Sequence, residues 1–352
     1  MYKQVFIAID LHSNRSVIGY MNKEGKYLEQ KQFKTSGSAL ISQVVGIPAE
    51  TKYLTIEQGN MSHWAASQLG AYVEELIICD PRHNRLVSGM DTKDDQVDTY
   101  RLCELFRLNG IKPIYNSGQM GTRRLFYHQI KEYERLNKAL VTGKRQLRAF
   151  LQHWGHTQAV TPTDYAHPES IANRLEDPAL ARQVRFQLER IEFLADQKRR
   201  QRQRFEQTAN DAGYAEIAEF TGMPGMGVVR AHTFSGYLQT PHRFANRRQL
   251  IKFSRLAVRH HTSDGRRLRA ERLSKAGHSS LKNISHGAWK SAMKSDNEVS
   301  GFYQASLDRC GNPDHARLNT QRKILIVLWS IWKHNRTYRP DKFYDASGVT
   351  TG

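Results

Sequence analysis

Short, largely apolar runs that each break off at an acid constrain this chain more than any other feature. Val5-Phe6-Ile7-Ala8-Ile9 ends on Asp10, and Tyr53-Leu54-Thr55-Ile56 ends on Glu57, with Gly59 behind it. Such runs read as buried strands, which places both acids at strand exits. Ser16–Met21 and Lys26–Phe33 alternate as two further strands about a turn at Asn22–Gly25, and Val73–Cys79 reads as a fifth. Ser38–Val45 and Ser62–Leu69 read as helices. The stretch from Asp91 to Glu104, Asp-Thr-Lys-Asp-Asp-Gln-Val-Asp-Thr-Tyr-Arg-Leu-Cys-Glu, follows the last strand. Coiled as a helix, it sets Asp95 and Asp98 three residues apart on one face, with Val97, Leu102 and Leu105 towards a core. Carboxylates held side by side repel, and a divalent cation with oxygen ligands is a common reason to keep them. The plainer readings are that acids favour the first turn of a helix and that a strand-end acid is an exposed turn residue.

Three antiparallel strands followed by alternating helix and strand, with acids at these four places, is the layout of a ribonuclease H-like (RuvC-like) fold. There, carboxylates from adjacent strands and a later helix meet to bind Mg²⁺ for phosphoryl transfer. On this reading Asp10, Glu57, Asp95 and Asp98 are the metal ligands.

The rest of the chain carries a different charge. Of 352 residues, 53 are Lys or Arg and 34 are Asp or Glu, for a formal net charge of +19 and a pI of about 9.9. Residues 1–110 hold 12 Lys and Arg against 13 acids, so the excess lies in the remainder, with 41 against 21. A near-neutral front and a basic back fit a catalytic unit joined to a polyanion-binding body. The length points to two or more domains, with boundaries expected at 1–115, 116–215 and 216–352. The three cysteines, Cys79, Cys103 and Cys310, have neither metal-ligand spacing nor the number for a disulfide framework. No charged-then-apolar leader and no apolar run of membrane-spanning length is present; Ile324–Trp332 is far too short. The expectation is a soluble cytoplasmic protein, associated with the nucleoid and not with a membrane.

From about Thr122 to Leu151, Tyr133, Leu136, Leu140, Leu147 and Leu151 recur at helical steps; from about Ala179 to Ala212, Val184, Leu188, Ile191 and Ala195 do the same. Two long helices about a looser segment with Pro162, Pro168 and Pro178 predict an antiparallel hairpin or coiled coil. The second contains Lys198-Arg199-Arg200-Gln201-Arg202-Gln203-Arg204, either a solvated face or a phosphate-contacting arm through Arg199 and Arg200. Met223-Pro224-Gly225-Met226-Gly227 reads as a glycine turn entering a helix, a tight loop whose amides at Gly225 and Gly227 can hold a phosphate. Between Arg243 and Lys294 the chain is dense in cations, including Arg266, Arg267, Arg272 and Lys275, around Thr262-Ser263-Asp264-Gly265. A serine beside glycine and ringed by cations suits attack on a phosphodiester; a plain loop hydroxyl is the simpler alternative. The histidines lack zinc spacing and read as phosphate contacts or structural residues.

Taken together these residues resemble the insertion-sequence transposases that pair an N-terminal Asp-Glu-Asp-Asp domain with a C-terminal serine domain, relatives of the pilin-gene invertase and RNA-guided recombinases. Ala8-Ile9-Asp10-Leu11-His12 is similar to the first acid motif of that family and Ile56-Glu57 to the second. Lys93-Asp94-Asp95-Gln96-Val97-Asp98 resembles its Lys-Thr-Asp-x-x-Asp-Ala motif, Pro224–Gly227 its Pro-Gly-Ile-Gly turn, and Ser274-Lys275-Ala276-Gly277 its Ser-Lys-x-Gly. Lys323–Trp332, with Tyr338 and Pro340, resembles its closing helix. The chain departs from the pattern at Asp264, which separates Ser263 from Gly265 and leaves Thr262 a lesser candidate, and at the doubled Asp94-Asp95. His278 stands where the family has Asn, and Lys282 where Arg is common.

The resemblance implies a ribonuclease H-like metal domain, a helical coiled-coil segment and a small helical C-terminal transposase domain. It also implies Mg²⁺ on Asp10, Glu57, Asp95 and Asp98, and Ser263 as the nucleophile towards double-stranded donor and target DNA. It further implies a noncoding guide RNA and a homo-oligomer, dimer or tetramer, in which acids and serine come from different subunits. The competing readings are a Mg-dependent structure-specific nuclease or Holliday-junction resolvase with water as nucleophile, and a non-catalytic nucleic-acid-binding protein.

Overall fold

The computed structural model describes residues 1–80, 95–118, 120–156, 160–161, 164–165, 167–259, 262–263, 266–267 and 272–343. At 95–97, 168, 259, 262–263 and 266–267 the description is of the backbone alone. The chain divides into two compact units, Met1–Gly121 and Thr122–Gly352.

The first unit is mixed α/β. Strands β1 (Tyr2–Asp10), β2 (Arg15–Asn22), β3 (Tyr27–Lys34), β4 (Ala49–Glu57) and β5 (Glu75–Cys79) form one sheet in the order β3-β2-β1-β4-β5. β1–β2 and β2–β3 pair antiparallel, and β1–β4 and β4–β5 pair parallel. Alternate residues of a strand face opposite sides of the sheet, and β1 uses both. Val5, Ile7 and Ile9 pack with Leu54, Ile56, Leu40 and Val44 beneath helices α1 (Gly37–Val45) and α2 (Ser62–Leu69). Phe6 and Ala8 face the other way, into a cluster with Met21 and helix α3 (Asp95–Arg107). β4 starts four residues before the expected Tyr53, because polar Glu50, Thr51 and Lys52 hide its first half from a hydrophobicity reading. Lys52 Nζ donates to the carbonyls of Val44 and Val45, 2.9 Å each, where the negative end of α1 favours a cation.

In the second unit α4 (Thr122–His153) and α6 (Pro178–Asp211) form the expected antiparallel pair: Gln201 donates to the Gln129 carbonyl at 3.0 Å, and Arg190 to Gln146 at 2.7 Å. Their far ends share a cluster of Leu140, Leu147, Leu151, Val184, Leu188 and Ile191, closed by Val160 and by Ile171 of the short helix α5 (Pro168–Ala172). Pro168 and Pro178 each open a helix, where the missing N–H costs nothing. Ala195 departs from expectation: it is exposed, and Leu194 takes its place against the partner helix. The stripe drifts because 3.6 residues per turn do not divide a seven-residue repeat.

At their near ends, Phe126 and Ile130 of α4 and Phe205 and Ala209 of α6 enter a larger core. It contains α7 (Glu216–Thr221), α8 (Val228–Leu238), α9 (Arg247–Phe253), α10 (Ser279–Ala292), α11 (Glu298–Cys310) and α12 (Pro313–Lys333). α12 runs through it with Ile324, Leu325 and Leu328 fully buried, and Tyr338 and Phe343 fold back onto the same core. Local signals set the α11–α12 joint: an Asn297–Ser300 capping box starts α11, Gly311 ends it in the left-handed conformation, and Asn312 caps α12 ahead of Pro313.

Candidate functional site

Asp10 and Glu57 close neighbouring parallel strands. The β1–β4 register runs to Ile9 opposite Ile56, so the two acids come next, side by side. Their parity decides which face they occupy. Asp10 follows Phe6 and Ala8, and Glu57 follows Tyr53 and Thr55, so both lie on the side covered by α3.

α3 buries Thr99, Leu102, Cys103 and Phe106, one helical stripe. Phe106 meets the rings of Phe6 at 5.7 Å and Tyr53 at 6.3 Å, and the Cys103 thiol donates to the Gly19 carbonyl opposite Ala8. Thr99 shares a hydrogen bond with the Tyr27 hydroxyl, 3.1 Å. Moving backwards along α3 from Phe106 to Cys103 therefore moves forwards along β1 from Phe6 to Ala8. The start of the helix, with Asp95 first and Asp98 a turn later, points to the strand ends that carry Asp10 and Glu57. Asp10 Oδ2 is 3.1 Å from Nε2 of His12, two residues on in the same motif. The Asp95 side chain and all of Asp94 lie outside the described residues. Among the described residues, no three His, Cys, Asp or Glu side chains are grouped so as to hold a metal ion. Burial raises the Cys103 thiol far above its ordinary value, which makes it an inert core residue.

The Ser263 segment is built differently. β6 (Val258–Arg259) pairs with β9 (Arg272–Leu273), and β7 (Thr262–Ser263) with β8 (Arg266–Arg267), all antiparallel. Ser263 stands opposite Arg266 and Thr262 opposite Arg267; Asp264 and Gly265 are outside the described residues. Arg272 and Lys275 are exposed. Backbone contacts fasten the base of this excursion. Ser274 N–H donates to the Ala257 carbonyl at 2.8 Å, and His278 N–H to that of Phe253. The Arg255 guanidinium donates to the Gly277 carbonyl at 2.8 Å. Arg322 of α12 places two N–H donors on the Leu256 carbonyl, at 3.0 and 2.8 Å. Gly277 has φ +108, and a Cβ there would fall 2.2 Å from the Phe253 oxygen, so no other residue fits.

The His278 ring lies 4.3 Å from that of Tyr237, tilted by 44°, and the Tyr237 hydroxyl donates to Glu134 of α4, which also accepts from Ser280 at 3.2 Å. Burial, followed by the charges of Arg255, Arg243 and Lys131, pushes His278 down to about 4. It is a neutral structural residue at pH 7, not a cationic phosphate contact.

The other sequence candidates separate by environment. Gly225 has φ +82, and a Cβ would lie 2.1 Å from the Ala288 oxygen, so packing against α10 explains this glycine. Gly227 has open space around it and caps the N-terminus of α8. Arg199 and Arg200 both bond Asp196, and Arg202 bonds Glu206 at 2.7 Å, so part of the basic run is neutralised along its own helix.

Residues 218–304 match the model of the Transposase IS116/IS110/IS902 family. The match runs from α7 through the glycine turn and the Ser263 excursion into α11. It supports an insertion-sequence transposase, and with it a DNA-acting enzyme. A search of curated proteins gave no match to the chain. Among the described residues no helix is long and apolar enough to cross a membrane.

Proposed function

We propose that this protein is an RNA-guided DNA recombinase of an insertion sequence, which cuts and rejoins double-stranded DNA through Ser263. One observation supports the reading most: Asp10 and Glu57 end adjacent parallel strands on the face that α3 covers, and Asp95 and Asp98 belong to the first turns of that helix. Three successive strands paired antiparallel, followed by strands that alternate with helices, support the ribonuclease H-like reading. The transposase match over the serine excursion supports the other half of the site.

The carboxylate oxygens are hard donors that suit Mg²⁺, and Asp10, Glu57, Asp95 and Asp98 would hold it. When bound there, the ion supplies Lewis-acid stabilisation of charge on a phosphate. The chain's own residues supply the rest. Ser263 Oγ forms a bond to phosphorus as the P–O3′ bond breaks; the hydroxyl proton passes to a base and the departing O3′ takes up a proton. The phosphoserine diester keeps the bond energy, so a 3′-hydroxyl from another strand can reverse the step and join new DNA. Arg266, Arg267, Arg272 and Lys275 contact phosphates around Ser263. In a homo-oligomer, dimer or tetramer, acids and serine from different copies complete each site. A noncoding RNA selects donor and target by base pairing while the protein reads backbone and shape; the +20 excess beyond residue 110 supports such polyanionic partners.

The test compares Ser263→Ala with Asp10→Ala on DNA carrying the element ends. Both abolish cleavage, and the covalent protein–DNA adduct disappears with Ser263→Ala. Cleavage that survives Ser263→Ala but not Asp10→Ala assigns a water-using nuclease or junction resolvase instead. Mg²⁺ titration by calorimetry, with heat lost in the Asp95→Ala/Asp98→Ala pair, separates either enzyme from a plain binding protein. Sequencing RNA that co-purifies with the full chain tests the guide.

A further inference from the structure

Helix α10 carries a feature that the reaction above does not use. From Arg272 to Ser295 the chain has no Asp or Glu, and Lys282, His286, Lys290 and Lys294 recur every fourth residue. The first three lie within α10, so they form one slowly winding stripe about 12 Å long. The opposite face is pinned: Leu281, Ile284, Ala288 and Ala292 are buried in the core. His286 and Lys290 are exposed and Lys282 is half-buried.

Arg317 of α12 reaches the same place, 5.8 Å from the Trp289 ring, which itself lies 5.4 Å from His286. The carboxylate bonded to this group among the described residues is Asp314, on Arg317 at 2.7 Å. Burial and then the charges of Arg317, Lys290 and Lys282 lower the affinity of His286 for a proton, as crowding of like charges requires. Gln321 Nε2 donates to His286 Nδ1 at 3.2 Å, leaving Nε2 to carry the ring proton as a donor.

We infer that the Lys282–His286–Lys290 stripe, flanked by Arg317, is a contact surface for the phosphate backbone of duplex DNA, separate from the Ser263 excursion. Like charges held on a rigid helix whose own sequence has no acid repel one another, and a polyanion relieves that repulsion. A duplex offers one charge per about 1.7 Å of its axis, so the stripe spans several phosphates. Single strands are held on exposed aromatic platforms, and Trp289 is half-buried against Tyr303, 5.7 Å away. The stripe therefore suits a duplex.

The inference requires that the chain meets duplex DNA, not that Ser263 reacts. Fluorescence anisotropy of the full chain with a duplex of about 40 base pairs is measured across a range of KCl concentrations. The variant K282Q/H286Q/K290Q flattens the plot of log affinity against log salt by about 2, roughly one per lysine removed, and weakens binding about tenfold or more at low salt. K282R/K290R restores both. K290Q alone, a change on the exposed surface, gives about half the flattening. An unchanged slope in both the triple and the single Gln variants overturns the inference. So does an equal loss on a single-stranded RNA of the same length, which makes the stripe a general polyanion face.

Discussion

The acid edge of the first unit and the serine excursion of the second are held by opposite means. Asp10 and Glu57 sit where two hydrogen-bonded strands stop, and strand register alone puts them side by side on one face. Ser263 sits on two-residue ladders whose anchorage comes from residues distant in sequence, Arg322 and the Phe253–His278 contact. A site built on a sheet edge inherits precision from the fold. A site on an excursion has precision only as good as its base.

The largest effects should come from the edge. Asp10→Ala and Glu57→Ala each lower the DNA cleavage rate by roughly 10²–10³-fold, the scale of losing a group that stabilises transition-state charge. Because both acids lie at strand ends outside the buried core, thermal unfolding stays near that of the parent chain. Chelation of divalent ions reproduces the loss, and added Mg²⁺ reverses it. A variant that cuts DNA at the parent rate removes these acids from the reaction.

Next come the glycines at the base of the excursion and in the turn. Gly277→Ala adds a Cβ at 2.2 Å from a backbone oxygen at φ +108, and Gly225→Ala adds one at 2.1 Å at φ +82. Each costs about 2–4 kcal/mol in urea unfolding. Gly227→Ala, with nothing within 4 Å, changes stability by less than about 0.5 kcal/mol. Equal costs at Gly225 and Gly227 would show that the turn, not its contact with α10, demands glycine.

These positions also show what the sequence could convey. Strand ends were legible because a hydrophobic run and its polar stop are both local, and the acid motifs fell on them. The long helical pair was legible for the same reason, its stripe misplaced only at Ala195. The role of Gly225 was not legible: a glycine turn looks alike whether it admits a phosphate or another helix, and only Ala288 of α10, 63 residues later, tells them apart. Arg322 and Glu134 gave no signal at all, since their partners, Leu256 and Tyr237, are set by tertiary packing.

His278 gives a smaller, pH-dependent effect. Its proton affinity falls from the ordinary 6.5 to about 4 on folding, so between those values the unfolded chain binds more protons than the native one. Stability is therefore complete above about pH 6.5 and declines as the pH falls towards 4, by about 1–2 kcal/mol once solvent screening is allowed for. Urea midpoints at pH 7 and pH 5 measure this. In His278→Asn the decline between those two values shrinks, whereas an unaltered decline assigns it to other groups.

The smallest effect concerns the arm. Asp196 holds both Arg199 and Arg200 on an exposed helix face, where ion pairs add little stability, so Asp196→Asn leaves the melting temperature unchanged. It frees two cations, and nucleic-acid binding by the full chain should become steeper in salt by about one to two. That outcome makes the arm a polyanion contact restrained by its own carboxylate. An unaltered slope makes the basic run a solvated face, and places the working cations on the excursion and on α10.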